Sequence, residues 1–541
     1  MRVGIGQINP CVGEIDANAS SIIRMIEEGK TEGCDLLVFP ELAIPGYIPL
    51  DILWRPGFVR SCEEAIERIR LATGGIAVVV GSVSSAPKRG SANRFDLSSL
   101  SDGGGIDLFN VAYLIEDRTI VGEAAKMHLP AYDVYNEKRY FTPGPGTGVE
   151  EVGRTKIGIN ICEDLLVDGG PSEVQASLGA EWIVNVSASP FYRGKPVIRL
   201  RMATERAREN GVGVVYVNLV GGQDEVVFDG GSFIVDPEGR LLFQAPRFEE
   251  GLYVADLQSL RPMEGADEDE TAQVRRAIVL GIRDYFRKNR FASAIVGLSG
   301  GIDSALVAAL AAEAIGAGNV TGVFMESEFS SPESRDDARE VARRLGIGYL
   351  EIPIERMHRE FRAALPGGAE GLVDENLQPR IRATLLMGLA NSKNALVLSA
   401  GNKSEIAIGY NTLYGDTVGA LAPIADLYKE DVYRLAESLG ERIPERVLTK
   451  PPSAELREGQ RDEDDLPPYS VLDPLLRSLI ERNGSREELV ANGFEERLVD
   501  DVIARYRRSE YKRRQLPPGI KVTPKAFGIG RIVPLTDRYR D

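Results

Sequence analysis

The sequence predicts an α/β protein of two large domains, the second built on a doubly wound parallel sheet. Three observations carry that expectation. Apolar, β-branched runs alternate with helical patterns along most of the chain. One polar, acidic stretch punctuated by Pro and Gly breaks the alternation near the middle. The 541 residues are 43% hydrophobic, which is enough apolar material for two cores. The expected boundaries are 1–260 for the first domain, 261–270 for a linker and 271–541 for the second domain.

In the first half, strands are expected at Val3–Ile8, Leu36–Phe39, Ile76–Val83, Lys156–Ile161, Trp182–Val186 and Val212–Leu219. Helical spacing covers Ala19–Glu28 and Glu63–Leu71. A hairpin-like stretch follows at Val226–Phe228, Ser232–Val235 and Leu241–Gln244, split by Asp-Gly-Gly and Pro-Glu-Gly turns, with Leu252–Leu257 as its last strand. After the linker, a helix begins near Thr271. Strand–helix alternation then resumes at Ala294–Leu298, Val320–Met325, Tyr349–Ile354 and Ala395–Ser399, the pattern of a parallel sheet. The acidic run Asp462–Asp465 reads as solvated surface.

Composition narrows the chemistry. With Lys+Arg 64 and Asp+Glu 81 the net charge is −17, which disfavours nucleic-acid coating and anionic membranes. No run approaches the ~18 apolar residues of a membrane span, and the first ten residues lack a signal-peptide pattern, so a cytoplasmic enzyme is expected. Cys11, Cys34, Cys62 and Cys162 form no CxxC pair, which argues against a disulfide framework or a cysteine zinc site. Histidines number 2 (His128 and His358), so acid–base work falls to carboxylates and lysines.

The sharpest motif is Ser299-Gly300-Gly301-Ile302-Asp303-Ser304, between a strand and a helix. Paired glycines let backbone N–H groups approach an anion, and the helix N-terminus adds partial positive charge. No GxxxxGK[ST] pattern is present. Asp303 is an acid inside a phosphate loop and calls for an intervening cation, for which Mg²⁺ is the natural candidate. A glycine turn that merely caps a helix is the plainer alternative.

This hexapeptide resembles the pyrophosphate-binding loop of N-type ATP pyrophosphatases. The motifs Glu375–Arg382, Gly401–Glu405, Thr412–Asp416, Lys429, Lys450–Leu456 and Glu510–Gln515 narrow the resemblance to the NAD synthetase family over about residues 270–535. The resemblance implies a Rossmann-like domain that uses ATP and Mg²⁺ to adenylate nicotinate adenine dinucleotide. It implies ATP contacts at Ser299, Gly300, Gly301, Asp303, Ser304, Lys429 and Ser453. Dinucleotide contacts follow at Asn376, Arg380, Glu405, Asp416 and Lys512, with Asp303 and Glu405 on the metal. Five phosphates would also occupy Lys403 and Arg382 electrostatically. The chain departs from the family at Glu326 and Glu328, at Ala400 and at Ile532.

An amide-forming synthetase needs nitrogen. Glu41 in Phe-Pro-Glu-Leu, Lys126 in Ala-Lys-Met-His and Cys162 in Asn-Ile-Cys-Glu-Asp together resemble the Glu-Lys-Cys triad of the nitrilase superfamily. The stretch Tyr132–Phe141 is similar to its glutaminase branch. The resemblance implies an αββα sandwich that hydrolyses glutamine. Cys162 would attack as thiolate, favoured by a nearby lysine, with Glu41 as base and Lys126 at the oxyanion. Glu137 would be the family's second glutamate, and Tyr47, Tyr132, Ser189 and Lys195 would grip glutamine. Cys11, Cys34 and Cys62 read as inert buried thiols, and His128 and His358 as non-catalytic. The resemblance further implies a homo-oligomer and an internal ammonia path. Two readings stay open beside it: another glutamine-dependent amidotransferase of the same ATP-loop type, and an ammonia-only synthetase whose first half is a scaffold.

Overall fold

The computed structural model describes residues 1–55, 57–87, 106–265 and 269–538. The chain divides into two units, Met1–Gln223 with Val227–Glu268, and Asp224–Val226 with Asp269–Asp541. Residues 266–268 of the expected linker lie outside the described residues, and the next helix runs Glu270–Lys288 with Asp269 as its N-cap.

The first unit carries β1 (Arg2–Gln7), β2 (Leu36–Val38), β3 (Ala77–Pro87), β4 (Ile106–Glu116) and β5 (Thr119–Ala125). It continues through β6 (Val149–Val152), β7 (Thr155–Ile161), β8 (Trp182–Ser187) and β9 (Gly213–Asn218). The last strands are β10 (Val220–Gln223), β11 (Val226–Asp229), β12 (Phe233–Val235), β13 (Leu241–Gln244) and β14 (Gly251–Asp256). Among the described residues two six-stranded sheets form, in the orders β14-β1-β2-β3-β4-β5 and β13-β12-β9-β8-β7-β6. The parallel centre of each sheet has antiparallel strands on its flanks.

Period-two alternation explains the layering. Val3, Ile5, Leu36, Val38, Val79 and Leu114 of one sheet share a buried core with Ile157, Ile159, Val184, Val186, Val215, Val217 and Ile234 of the other. The intervening residues Ile183, Val214, Tyr216 and Phe233 face outward, where Leu200, Ala203 and Ala207 of helix Lys195–Asn210 cover them. Helix Phe58–Ala72 buries Cys62, Ala65, Ile66 and Ile69, an i, i+3, i+4, i+7 stripe, over the first sheet. The unit is therefore an αββα sandwich.

Two sequence expectations change here. The expected last hairpin strand does not join the hairpin sheet: β14 pairs antiparallel with β1 across the full register Arg2↔Asp256 to Gln7↔Gly251. It carries the chain back to the other layer, a long-range pairing invisible to local periodicity. The strands β4, β5 and β6 were not anticipated, because their partly exposed residues blur the alternation.

The second unit holds β15 (Ser293–Gly297), β16 (Val320–Phe324), β17 (Gly348–Glu351) and β18 (Ala395–Leu398). All pair in parallel, in the order β17-β16-β15-β18. The order reverses at β15, so a crevice opens at the carboxyl ends of β15 and β18, where doubly wound folds bind ligands. Helix Ile302–Ile315 is buried on most of its faces, which its Ala- and Leu-rich sequence permits. A second core forms where helices Tyr469–Glu481 and Glu496–Arg508 pack through Leu475, Leu476, Val499 and Val502. Among the described residues no helix is long and apolar enough to cross a membrane.

Replacing Ile234, fully buried between the sheets, with Ala is expected to destabilise the first unit by about 2–5 kcal/mol. Urea denaturation followed by a probe in that unit measures it. An unchanged midpoint would contradict the packing described.

Candidate active sites

In the first unit, three strand ends deliver three side chains to one buried point. Glu41 follows β2, Lys126 follows β5 and Cys162 follows β7. Lys126 Nζ donates to Glu41 Oε1 at 2.7 Å and to Glu137 Oε1 at 2.8 Å, with all three side chains wholly buried. Asn110 Nδ2 also donates to Glu41 Oε1 at 2.7 Å, the Ala188 N–H donates to Glu41 Oε2 at 2.8 Å, and Tyr47 O–H donates to Glu137 Oε1 at 2.9 Å. Cys162 turns at φ +46°, a left-handed conformation uncommon for a side-chain-bearing residue, as β7 passes into a short 3₁₀ helix. Asp164 ties this turn to the lysine loop by accepting from the backbone N–H of Met127 (3.2 Å) and of His128 (2.8 Å).

Charge balance here is one cation to two carboxylates. Burial pushes the Cys162 thiol up to about 12, and Glu41 adds to this against the opposing Lys126. Desolvation and the carboxylates outweigh the lysine there, which leaves the thiol proton for a base to take. Burial likewise raises Glu137 to about 7 despite Lys126. Burial alone would lower Lys126, but Glu137 and Glu41 hold it charged, well above its ordinary value. Glu137 Oε2 is buried with no hydrogen-bond partner among the described residues, so a donor on a ligand can satisfy it.

The residues expected around this point divide. Tyr47 is buried and spends its hydroxyl on Glu137. Tyr132 is half exposed and donates to Glu163 Oε2 at 2.9 Å. Ser189 is buried, its N–H donating to Asn218 Oδ1 at 2.8 Å. Lys195 starts the helix Lys195–Asn210, and burial and Arg199 lower its pKa. His128 Nδ1 lies 3.0 Å from Asp164 Oδ1, a structural contact. Cys34 and Cys62 are buried, whereas Cys11 is half-buried and corrects the expectation of three buried thiols.

In the second unit the loop Ser299–Ser304 turns from β15 into its helix. Gly300 has φ +80°, and a Cβ there would sit 2.3 Å from the Ser334 carbonyl oxygen, so only glycine fits. Ser304 Oγ accepts from the Ser299 N–H at 3.2 Å, and Ser299 Oγ accepts from the Gly301 N–H at 3.2 Å. The loop walls a cavity of about 300 Å³ at the carboxyl ends of β15, β16 and β18, together with Arg382, Glu405, Asp416, Lys429 and Ser453. Lys429 Nζ lies 2.5 Å from Asp303 Oδ2 and 3.4 Å from Glu405 Oε1. Asn402 caps helix Lys403–Ile408 and donates to Asp303 Oδ1 at 2.9 Å. Burial raises Glu405 to about 8, opposed by Lys429 and reinforced by Asp303, Asp462 and Asp416.

The remaining expected contacts converge on the segment 409–416 beside that cavity. Asn376 Oδ1 accepts from Thr412 Oγ1 at 2.7 Å, and Asp416 Oδ1 accepts from the Thr412 N–H at 2.6 Å. Arg380 Nε donates to the Leu413 carbonyl at 3.2 Å, and Lys512 Nζ donates to the Gly409 (2.7 Å) and Asn411 (2.6 Å) carbonyls. Burial raises Asp416 to about 6 and lowers Lys512.

Two expectations are corrected. Lys403 is fully buried against Asp426 at 2.8 Å and Thr523 at 2.6 Å, so it braces the fold and does not meet phosphates. Asp462 is not solvated surface: it is buried, accepts from Tyr469 O–H at 3.0 Å and lines the cavity. His358, on the mostly polar helix Glu355–Ala364, is buried on Asp374 at 2.8 Å in a structural network with Arg362 and Glu328. Among the departures, Glu326 pairs with Arg335 at 3.3 Å, Ala400 lines the cavity and Ile532 is exposed. Asn110, Asp164, Asn402 and the Ala188 N–H were missed. Only Asn402 had a local signal, the N-cap spacing to Glu405.

The carbon-nitrogen hydrolase family profile matches residues 2–262, and the NAD synthase profile matches residues 274–517. The glutamine-dependent NAD(+) synthetase of Thermotoga maritima is 38% identical across 100% of this chain and 99% of its own length. That of Xylella fastidiosa is 41% identical across 100% and 99%. The solved structure of the Acinetobacter baumannii glutamine-dependent NAD+ synthetase in complex with adenosine diphosphate superposes with a TM-score of 0.76. It is 36% identical over 99% of this chain and 98% of that one.

Because Cys162 titrates near 12, its alkylation by iodoacetamide is expected to quicken about tenfold per pH unit from pH 6 to 10 without a plateau. A plateau near neutrality, measured by mass spectrometry of the labelled peptide, would mean a preformed thiolate.

Proposed function

The chain belongs to the family of glutamine-dependent NAD(+) synthetases, and from that membership we propose how its two units divide the reaction. Nicotinate adenine dinucleotide, ATP, glutamine and water become NAD⁺, AMP, diphosphate and glutamate. Residues 1–260 act as the glutaminase and 271–541 as the synthetase, with 261–270 linking them. The buried Lys126 shared by Glu41 and Glu137 beside Cys162 is the observation that carries this reading.

In the glutaminase, Glu41 takes the Cys162 proton as sulfur attacks the carboxamide carbon. Lys126 meets the developing oxyanion, a contribution of about 3 kcal/mol or more. Glu41 returns that proton to the amide nitrogen, which leaves as ammonia, and then activates the water that releases glutamate from the thioester. Glu137 orients Lys126 and offers Oε2 to the substrate. Tyr132, Ser189 and Lys195 border the glutamine, and Tyr47 acts through Glu137.

In the synthetase, Ser299, Gly300, Gly301, Ser304 and Ser453 hold the ATP phosphates, helped by Lys429. Asn376, Arg380, Asp416 and Lys512 set the segment 409–416 against the dinucleotide. The nicotinate carboxylate attacks the α-phosphorus, diphosphate leaves, and ammonia displaces AMP from the acyl adenylate. Asp303 and Glu405 would hold Mg²⁺. Their fit rests on the surplus of buried carboxylate over the single Lys429 ammonium and on their hard oxygen donors. Bound there, the metal neutralises phosphate charge. The four free thiols support a reducing, cytoplasmic setting, and a homo-oligomer follows from the family resemblance.

Cys162→Ala is expected to abolish NAD⁺ formation with glutamine and retain it with ammonium. Equal rates with glutamine in both proteins would remove Cys162 from the reaction. Gly300→Ala, which forces the phosphate loop off Ser334, is expected to lose synthesis from both nitrogen sources by ~100-fold or more. Full activity in that variant would detach the loop from ATP binding.

A further inference from the structure

We propose that Asn110 is a positioning residue of glutamine hydrolysis: it saturates one oxygen of Glu41 and leaves the other as the atom that accepts the thiol proton. The proposal rests on the glutaminase reading above.

The two oxygens of Glu41 differ in what they receive. Oε1 accepts from Lys126 Nζ at 2.7 Å and from Asn110 Nδ2 at 2.7 Å, so both of its in-plane lone pairs are used. Among the described residues Oε2 accepts only the Ala188 N–H at 2.8 Å, which leaves one lone pair for a proton. Without Asn110 the two oxygens would each carry one donor and lose that distinction. The same residue also fixes the lysine, since the Asn110 carbonyl accepts from the Lys126 N–H at 2.8 Å across the β4–β5 ladder. One residue thus sets the relative position of the base and the oxyanion-stabilising cation.

The amide pays for this elsewhere. Asn110 is 1% exposed, and its Oδ1 is buried with no hydrogen-bond partner among the described residues. The NH₂ group must face the carboxylate, because the alternative orientation sets two acceptors against each other. An apolar side chain of similar size would fill the space without an orphan oxygen. What the amide adds is the donor to Glu41.

The charged and titratable groups around Glu41 are Lys126, Glu137, Tyr47, Tyr135 and Cys162, and only Lys126 is a cation. A donor to a carboxylate favours its ionised form, so its loss raises the pKa of the base. The test compares wild type with Asn110→Leu, which keeps the volume, and Asn110→Asp, which adds a negative charge. Glutamine hydrolysis is followed as kcat/KM from pH 5 to 9, with thermal unfolding recorded for each protein.

Asn110→Leu is expected to lose about tenfold or more at neutral pH, within the ~10²–10⁴-fold that a general base contributes. The loss should fall chiefly on kcat, and the acid limb should move to higher pH. Asn110→Asp should move the limb further in the same direction. A folded Asn110→Leu whose acid limb coincides with that of wild type overturns the proposal, whatever its overall rate. If Asn110→Leu does not fold, the Asp variant decides by the same limb. Wild-type protein that hydrolyses no glutamine at any pH would instead sink the glutaminase reading itself.

Discussion

A single lysine shared by two buried carboxylates, with no solvent to screen any of the three, governs the catalytic end of the first unit. Removing charges from water is expensive, and the fold supplies the partners from the ends of β2 and β5 and from the short 3₁₀ turn Glu137–Arg139. Lys126 cannot leave without stranding Glu41 and Glu137, and neither carboxylate can move without releasing the lysine. The strands β2 and β5 and the turn before Phe141 are therefore locked to one another through side-chain charge as well as through the sandwich core. Burial, with Glu41 adding to it against Lys126, pushes the Cys162 thiol up to about 12.

The second unit solves a similar problem with different residues. Lys429 lies between Asp303 and Glu405, with Asp462 and Asp416 adding negative charge around it. Burial raises Glu405, as it raises Glu137 in the first unit, with neighbouring carboxylates adding to it against the lysine in each. The consequences differ because the surroundings differ. The first site is fully buried, which in the proposed reaction suits transfer of the thiol proton to Glu41. The second faces a cavity at the switch point of a parallel sheet, with a glycine loop beside it, and suits polyphosphate and a divalent ion.

Much of this was legible in the order of residues. The apolar runs located the parallel strands of both units, since buried parallel strands read as continuous β-branched stretches, though β3 runs four residues past the expected Val83 and β17 ends three residues before the expected Ile354. Glu41, Cys162 and the Ser299–Ser304 loop stood out because each follows an expected strand in a distinctive local context, and Lys126 through its local motif alone. The flanking antiparallel strands were less visible: β5, at the sheet edge, is exposed or half-buried throughout, so it carries no apolar run. The return of β14 to β1 joins residues about 250 apart, and no local pattern encodes that. Asp462 looked like surface because a four-residue acidic run usually is, and only its packing under Tyr469 reverses that reading.

The sequence by itself determined the chemistry available: a shortage of histidine, one cysteine in a nitrilase-like context, a glycine loop without a Walker lysine, and two α/β halves. The tertiary structure decided how charge is apportioned among those groups. Whether a lysine lines a cavity beside carboxylates, as Lys429 does, or braces the core, as Lys403 does, depends on which carboxylates the fold sets beside it. Whether a cysteine rests as thiol or thiolate depends on the balance of burial and neighbouring charge. Those are sums over distances in three dimensions, and linear spacing carries no record of them.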